Sequence, residues 1–266
     1  MSMVSTTPIY VISLRDSVDR WRRLQTVLAR QQVLATLVPA VDGRSMTQHE
    51  LLQSGTSLRT TLSLVKPSGR PRCDDWTIDA RGAVGCTLSH VDAWQRIIAA
   101  DAPYAVVLED DADVRIANLR EYLAELQAHR LYGCDVMMLT APCGVRDKPV
   151  AFAGEFQGTT GYCLSQRAAR VLVQYAHPIE QHVDHYIANL AQLNLLVIGS
   201  MPTAVIGINH RYKSTIRHGA TLSDFFYLRK ATVACCCCLG ILLLIGGFLY
   251  VTKKKRSGAH PYKMYD

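Results

Sequence analysis

Between Pro8 and about Ser223, apolar runs of strand length alternate with amphipathic stretches of helix length, and a chain with that alternation must bury its strands between helices in an α/β unit. The first strand reads Ile9-Tyr10-Val11-Ile12-Ser13-Leu14. A turn at Arg15-Asp16-Ser17 follows, then a helix with Trp21, Leu24, Val27 and Leu28 on one face. A second apolar run, Leu34 to Val41, ends at Asp42-Gly43. Thr47 and Glu50 have the spacing of a capping box before a short helix closed by Gly55. Ser57 to Asp79 lacks an apolar period and is predicted to be a long loop. Further on, the pattern predicts a helix from Gly82 to Ala100, a strand over Tyr104–Leu108, a helix from Leu119 to His129 and a strand over Val136–Leu139. A glycine-rich segment from Gly154 to Gly161 leads into a helix over Gln166–Tyr175, and strands at Leu195–Gly199 and Ala204–Ile208 complete the sheet.

The expected organisation is a mixed-sheet α/β domain over 1–223, a juxtamembrane linker over 224–230, a transmembrane helix over 231–251 and a basic tail over 252–266. From Ala231 to Val251 there are 21 residues without a charge, and at about 1.5 Å per residue they span roughly 31 Å as a helix, the depth of a bilayer core. Basic residues stand on both sides, so the positive-inside rule gives no orientation. Met1 to Pro8 has no basic segment of the signal-peptide kind, which places the large domain in the cytosol as a single-pass protein with a C-terminal anchor. The net charge is +7, but Lys253 to Lys255, Arg256 and Lys263 against Asp266 put +4 in the last fifteen residues. The remaining +3 is too little for a phosphate-lined groove, so nucleic acid is excluded as a partner. Of nine cysteines, Cys235 to Cys238 form one run, positioned for S-acylation or for packing. The other five show no zinc spacing and read as buried free thiols.

Two segments carry chemistry. Glu109-Asp110-Asp111-Ala112-Asp113 places four carboxylates in five residues after a buried strand. Their mutual repulsion calls for a cation, and hard oxygen ligands favour Mn²⁺ or Mg²⁺; a solvated acidic turn is the alternative. Gly82-Ala83-Val84-Gly85-Cys86-Thr87-Leu88-Ser89-His90 is a small-residue helix entrance, whose free amides can hold an anion while Gly85 permits close approach and Ser89 and His90 orient polar groups. The alternative has the glycines serve packing and His90 sit hydrogen-bonded in the core. Ser89 and His90 diverge by about 100° on a helix and make a poor nucleophile and base pair.

With these segments in view, the chain resembles glycosyltransferase family 25, the lipopolysaccharide and procollagen galactosyltransferase-like group. Ile9–Leu14 with Arg15 and Arg20 is similar to the family's opening strand and basic helix, and Ala40-Val41-Asp42-Gly43 to its next motif. Gly85-Cys86-Thr87-Leu88-Ser89-His90 with Trp94, then Leu108-Glu109-Asp110-Asp111, form the most specific pair. Gly161-Tyr162-Cys163-Leu164-Ser165 with Ala169, then Val183-Asp184, resemble the later sugar-site region. The resemblance covers about Pro8 to Ile216. It implies a GT-A-like fold that moves a sugar, most commonly galactose from UDP-galactose, to a hydroxyl acceptor with inversion and with Mn²⁺. The acceptor is a carbohydrate, a lipid-linked group or a protein hydroxyl.

By that resemblance Asp111 leads the metal ligands, with Asp113 and Glu109 as helpers, and Asp184 is the catalytic base. Arg15, Arg20, Asp42, Gly85, Ser89, His90 and Asp110 contact the donor, and His210 is a further candidate for the metal. Ser13 stands where the family usually has Asn, which puts that donor contact in question, and the C-terminal anchor is not part of the bacterial pattern. Two other functions compete with a membrane-anchored transferase: a catalytically inactive relative acting as a membrane scaffold, and a metal-dependent phosphodiester hydrolase.

Overall fold

The computed structural model describes residues 7–65, 78–140, 150–152, 156, 158–200 and 204–212. The chain divides into two compact units, Met1–Arg217 and His218–Asp266, and all described residues belong to the first. The expected span 231–251 lies outside the described residues, and among them no helix is long and apolar enough to cross a membrane.

Strand β1 (Ile9–Ser13) pairs in parallel with β2 (Ala35–Pro39) on one side and with β3 (Tyr104–Glu109) on the other. Next to β3 lies antiparallel β7 (Gly161–Ser165), then β5 (Val136–Met138), β8 (Ile198–Ser200) and β6 (Val150–Phe152), giving the seven-stranded mixed order β2-β1-β3-β7-β5-β8-β6. A separate ribbon pairs β4 (Ala112–Val114) with β9 (Ile206–Ile208). The second of these was expected to complete the main sheet; instead it runs beside the acidic segment.

The strands carry apolar side chains on both faces, as a doubly covered sheet requires. Tyr10, Ile12, Ala105, Val107, Tyr162 and Leu164 point into one core, shared with helices α4 (Arg81–Ala99), α6 (Gln166–Gln174) and α7 (Val183–Gln192). Ile9, Val11, Val106, Leu108 and Cys163 point into the other, shared with α1 (Val18–Arg30) and α5 (Leu119–Ala128). Leu24 and Leu28 of α1 are fully buried there and Trp21 partly so, each leucine contributing about 1.5–3 kcal/mol. The free thiols Cys134 and Cys163 lie in this second core.

The capping box forms as expected: the Thr47 hydroxyl accepts from the Glu50 amide and the Glu50 carboxylate accepts from the Thr47 amide, starting α2 (Gln48–Gln53). Gly55 then closes that helix at φ +85°. The long-loop expectation fails in its first part. Leu58–Val65 is a helix, α3, started by the Ser57 hydroxyl accepting from the Thr60 amide; residues 66–77 lie outside the described set. Its buried face is Thr60 and Thr61, whereas Leu58 and Leu62 are exposed. An inverted pattern of that kind hides a helix from an apolar-period reading. The strand β7 was likewise hidden, because Gly161 continues a glycine-rich run.

Candidate functional site

The chain leaves β1 through α1 to reach β2 on one side, and later returns to place β3 on the other side of β1. Helices α1 and α4 leave opposite faces at that point, which opens a crevice beyond the carboxyl ends of β1, β2 and β3, the position where ligands of doubly wound sheets gather. The cleft there is lined by Ser13, Arg20, Val41, Asp42, Gly82, Cys86, Glu109 and Asp111 among others.

One wall is made by two motifs pressing their backbones together. A Cβ on Gly43 would meet the Arg81 carbonyl and would sit 2.7 Å from the Gly85 nitrogen, and one on Gly85 would meet the Val41 carbonyl and the backbone of Gly43. Only glycine fits either position. Ser89 fastens the same crossing: its hydroxyl donates to the Gly85 carbonyl at 2.6 Å and accepts from the Val41 amide at 2.9 Å. Gly85 and Ser89 thus build this crossing, and Ser89 also lines the cleft. Asp42, at the cleft, holds Arg44 through two hydrogen bonds of 2.7 Å.

The floor is the acidic segment, whose carboxylates have different fates. Asp110 is buried; it accepts from the Ser13 hydroxyl at 2.7 Å and from Arg20 at 3.4 Å. Burial pushes its carboxyl up, and Ser13 and Arg20 pull against that shift. Asp113, on β4, turns to Arg23 at 3.7 Å and does not line the cleft. Glu109 accepts from the Thr159 hydroxyl at 2.7 Å through Oε1, with His90 Nε2 3.5 Å away. Burial raises its carboxyl and the hydrogen bonds from His90 and Thr159 pull against that shift, with the net direction down.

Asp111 is the carboxylate of this segment pushed furthest from its ordinary value. Its Oδ1 is buried and has no hydrogen-bond partner among the described residues. Burial first, then repulsion from Glu109 and Asp110, pushes its carboxyl up to about 7 against the pull of Arg20. A buried acceptor left empty is costly, and a hard divalent ion is the natural complement to an unpartnered carboxylate oxygen beside a second carboxylate. The residues present thus fit Mn²⁺ or Mg²⁺ through Asp111 and Glu109, while Asp110 and Asp113 are spent on protein partners. Cys86, His90 and Glu109 also bring ligand atoms within 4.8 Å of one another. That trio suits a soft metal poorly, since burial, then the charges of Glu109, Asp184 and Asp111, hold the Cys86 thiol protonated.

Asp184 opens α7. Its Oδ2 accepts from the Gly158 amide at 2.8 Å and its Oδ1 from the His185 amide at 2.9 Å. It anchors the turn that leads to Thr159 and acts electrostatically on the same Cys86 thiol as the acidic segment. Arg15 and His210 are exposed and line no part of the cleft.

Several contributors escaped the sequence reading. Ser13 was noted only as a missing Asn, yet its hydroxyl binds Asp110. Thr159, Tyr162 and Trp94 form a buried chain behind Glu109: Trp94 Nε1 donates to the Tyr162 hydroxyl at 2.8 Å, which meets His90 Nδ1 at 2.8 Å. Trp94 and Tyr162 both stand in the family-like motifs, and an indole N–H on a helix facing the sheet requires an acceptor, but neither signal gives their pairing. Tyr212, just beyond β9, lies against the guanidinium groups of Arg20 and Arg23, 4.8 and 5.6 Å from its ring centre.

Fold and cleft together define a doubly wound α/β protein with a carboxylate-floored crevice at its switch point. The chain belongs to glycosyltransferase family 25 (LPS biosynthesis protein), whose family model matches residues 6–187, the stretch that builds the cleft. Among curated proteins it is similar to procollagen galactosyltransferase 1 of Danio rerio, 24% identical over 208 residues that cover 67% of this chain and 33% of that protein. Procollagen galactosyltransferase 1-B of Xenopus laevis is 29% identical over 190 residues, 66% of this chain and 29% of its own. A probable inactive glycosyltransferase 25 family member 3 of Bos taurus is 29% identical over 126 residues, 46% of this chain and 20% of its own. The match thus spans a third or less of the length of these relatives.

Proposed function

We propose that the protein transfers a sugar, galactose foremost, from its UDP conjugate to a carbohydrate, lipid-linked or protein hydroxyl, with inversion and with Mn²⁺ or Mg²⁺. The observation that carries this reading is the buried, unpartnered Asp111 Oδ1 at the switch point of a family 25 sheet. When bound, the ion supplies positive charge against the donor diphosphate and the departing UDP. The rest falls to the chain. The first turn of α4, with Gly82 at the cleft, presents amides to the diphosphate, and Arg20 adds a cation beside it. Asp184 takes the proton of the acceptor hydroxyl as the new bond forms.

The full chain, incubated with UDP-sugars, is expected to release UDP only when Mn²⁺ or Mg²⁺ is present. Asp184→Asn is expected to lower transfer about 10²- to 10⁴-fold while UDP binding stays within a few-fold of the parent. A parallel loss of binding and turnover would reduce Asp184 to the anchor of the Gly158 turn. The similarity to inactive family members favours one second reading, a scaffold without turnover, and UDP binding without release of sugar would select it. Phosphodiester cleavage independent of nucleotide would reject both.

Part of the same proposal is that 231–251 anchors the protein with its large domain on the cytosolic side. Its support is the uncharged 21-residue run with basic flanks. Protease added to sealed vesicles with the cytosolic face outward is expected to digest the domain, and protection would reverse the orientation.

A further inference from the structure

Behind Glu109 the hydrogen-bond chain Trp94–Tyr162–His90–Thr159–Glu109 admits a single fully satisfied placement of its protons. The Trp94 indole only donates, so the Tyr162 oxygen accepts from it at 2.8 Å. At the other end the Thr159 hydroxyl donates to Glu109 Oε1 at 2.7 Å. The Thr159 oxygen is thereby free to accept from His90 Nε2 at 3.3 Å, and the same Nε2–H faces Glu109 Oε1 at 3.5 Å. With Nε2 protonated, His90 Nδ1 carries a lone pair and receives the Tyr162 hydroxyl proton at 2.8 Å. A proton on Nδ1 would strand the Tyr162 proton, for which no other acceptor stands within reach among the described residues. His90 and Tyr162 have 0% of their surface exposed, so no water enters to relieve a misplaced proton.

We infer that His90 is a positioning residue: Tyr162 fixes it as the neutral Nε2–H tautomer, and with Thr159 it occupies Glu109 Oε1 so that Oε2 is the oxygen left for a ligand in the cleft. Glu109 Oε2 accepts no hydrogen bond from the described residues, and Glu109 lines the cleft. The pattern is that of an outer-shell histidine, which orients a carboxylate without touching what the carboxylate holds. It also explains why Ser89 and His90, neighbours in one motif, serve different walls. The consequence for ligand binding rests on the reading of the cleft as a divalent-ion site; the tautomer itself does not.

Two measurements on the full chain decide it. In ¹⁵N-histidine NMR, with His90 assigned by its absence from the His90→Gln spectrum, the parent is expected to show a protonated Nε2 and an unprotonated Nδ1 near pH 7.5. A protonated Nδ1, alone or as imidazolium, overturns the inference without reference to any activity. In Mn²⁺ titrations by calorimetry, Tyr162→Phe and His90→Asn are expected to weaken binding about 10-fold or more. His90→Gln, whose amide nitrogen reaches the Nε2 position, is expected to restore most of the affinity. Thermal melts identify any variant that fails to fold, and equal affinities for the Asn and Gln variants overturn the inference. If the parent binds no Mn²⁺, the proposed function fails while the NMR result still decides the tautomer.

Discussion

Asp111→Asn is expected to make the metal-free protein more heat-stable and, in the same stroke, to lower Mn²⁺-dependent sugar transfer by at least about 10³-fold, the several kcal/mol that a catalytic ion supplies. The stabilising half follows from linkage. The Asp111 carboxyl titrates at about 7 in the fold, against an ordinary value of 3.8. Between those values the native state keeps a proton that the unfolded chain has released, so stability falls as pH rises from about 4 to about 7 and is level above that. Asp110 is shifted in the same direction. Glu109 is shifted downward and matters only in more acidic solution. In a chelator, the parent is expected to melt lower at pH 8 than at pH 5, by roughly 2–4 °C for each kcal/mol of repulsion. The Asn variant and saturating Mn²⁺ are each expected to remove most of that slope. Melting curves across pH, with and without the ion, check the first half and UDP release checks the second. An Asn variant that melts and turns over like the parent would remove Asp111 from the site.

Gly43→Ala carries the second large effect, this time on folding. The added methyl would run into the Arg81 carbonyl and crowd the Gly85 nitrogen at 2.7 Å. Both obstacles are backbone, one of them in the first turn of a 19-residue helix, so no side chain can rotate aside. Overpacking of this kind destabilises by about 1–3 kcal/mol and occasionally more, and rigid neighbours put this site at the upper end. A fall in Tm of about 10 °C is expected. Gly85→Ala presses on the same crossing from the helix side, so the double variant is expected to lose less than the two single losses added together. Strict additivity, or a shift under 1 °C, would show that the strand β2 exit and α4 do not bear on each other. UDP affinity should fall with Gly43→Ala as well, because Val41 and Asp42 move with the displaced backbone.

Much of this architecture is written in local patterns. The Ile9–Ser13 strand, the Trp21-Leu24-Leu28 stripe, the Thr47–Glu50 box and the placement of Glu109 to Asp111 at a strand's carboxyl end were all legible, because each depends on residues within a few positions of one another. What was not legible depends on distant partners or on a buried face of unusual composition. Helix α3 turns threonines inward. Ser89 lines the cleft and also ties Val41 to Gly85, a contact between residues 48 apart in sequence. His90 and Tyr162 are 72 apart. No spacing rule reaches across such intervals, and the alternative held open for His90, a hydrogen-bonded core histidine, describes its burial while missing what it orients.

Among its contacts Arg20 has a carboxylate on one side and an aromatic face on the other, at 3.4 and 4.8 Å, each of modest strength. On the proposed reading, a phosphate oxyanion arriving in the crevice would compete with Asp110 through a shorter, two-pronged grip on that guanidinium. Drawing Arg20 away would then be felt by Asp111, whose charged form that guanidinium favours.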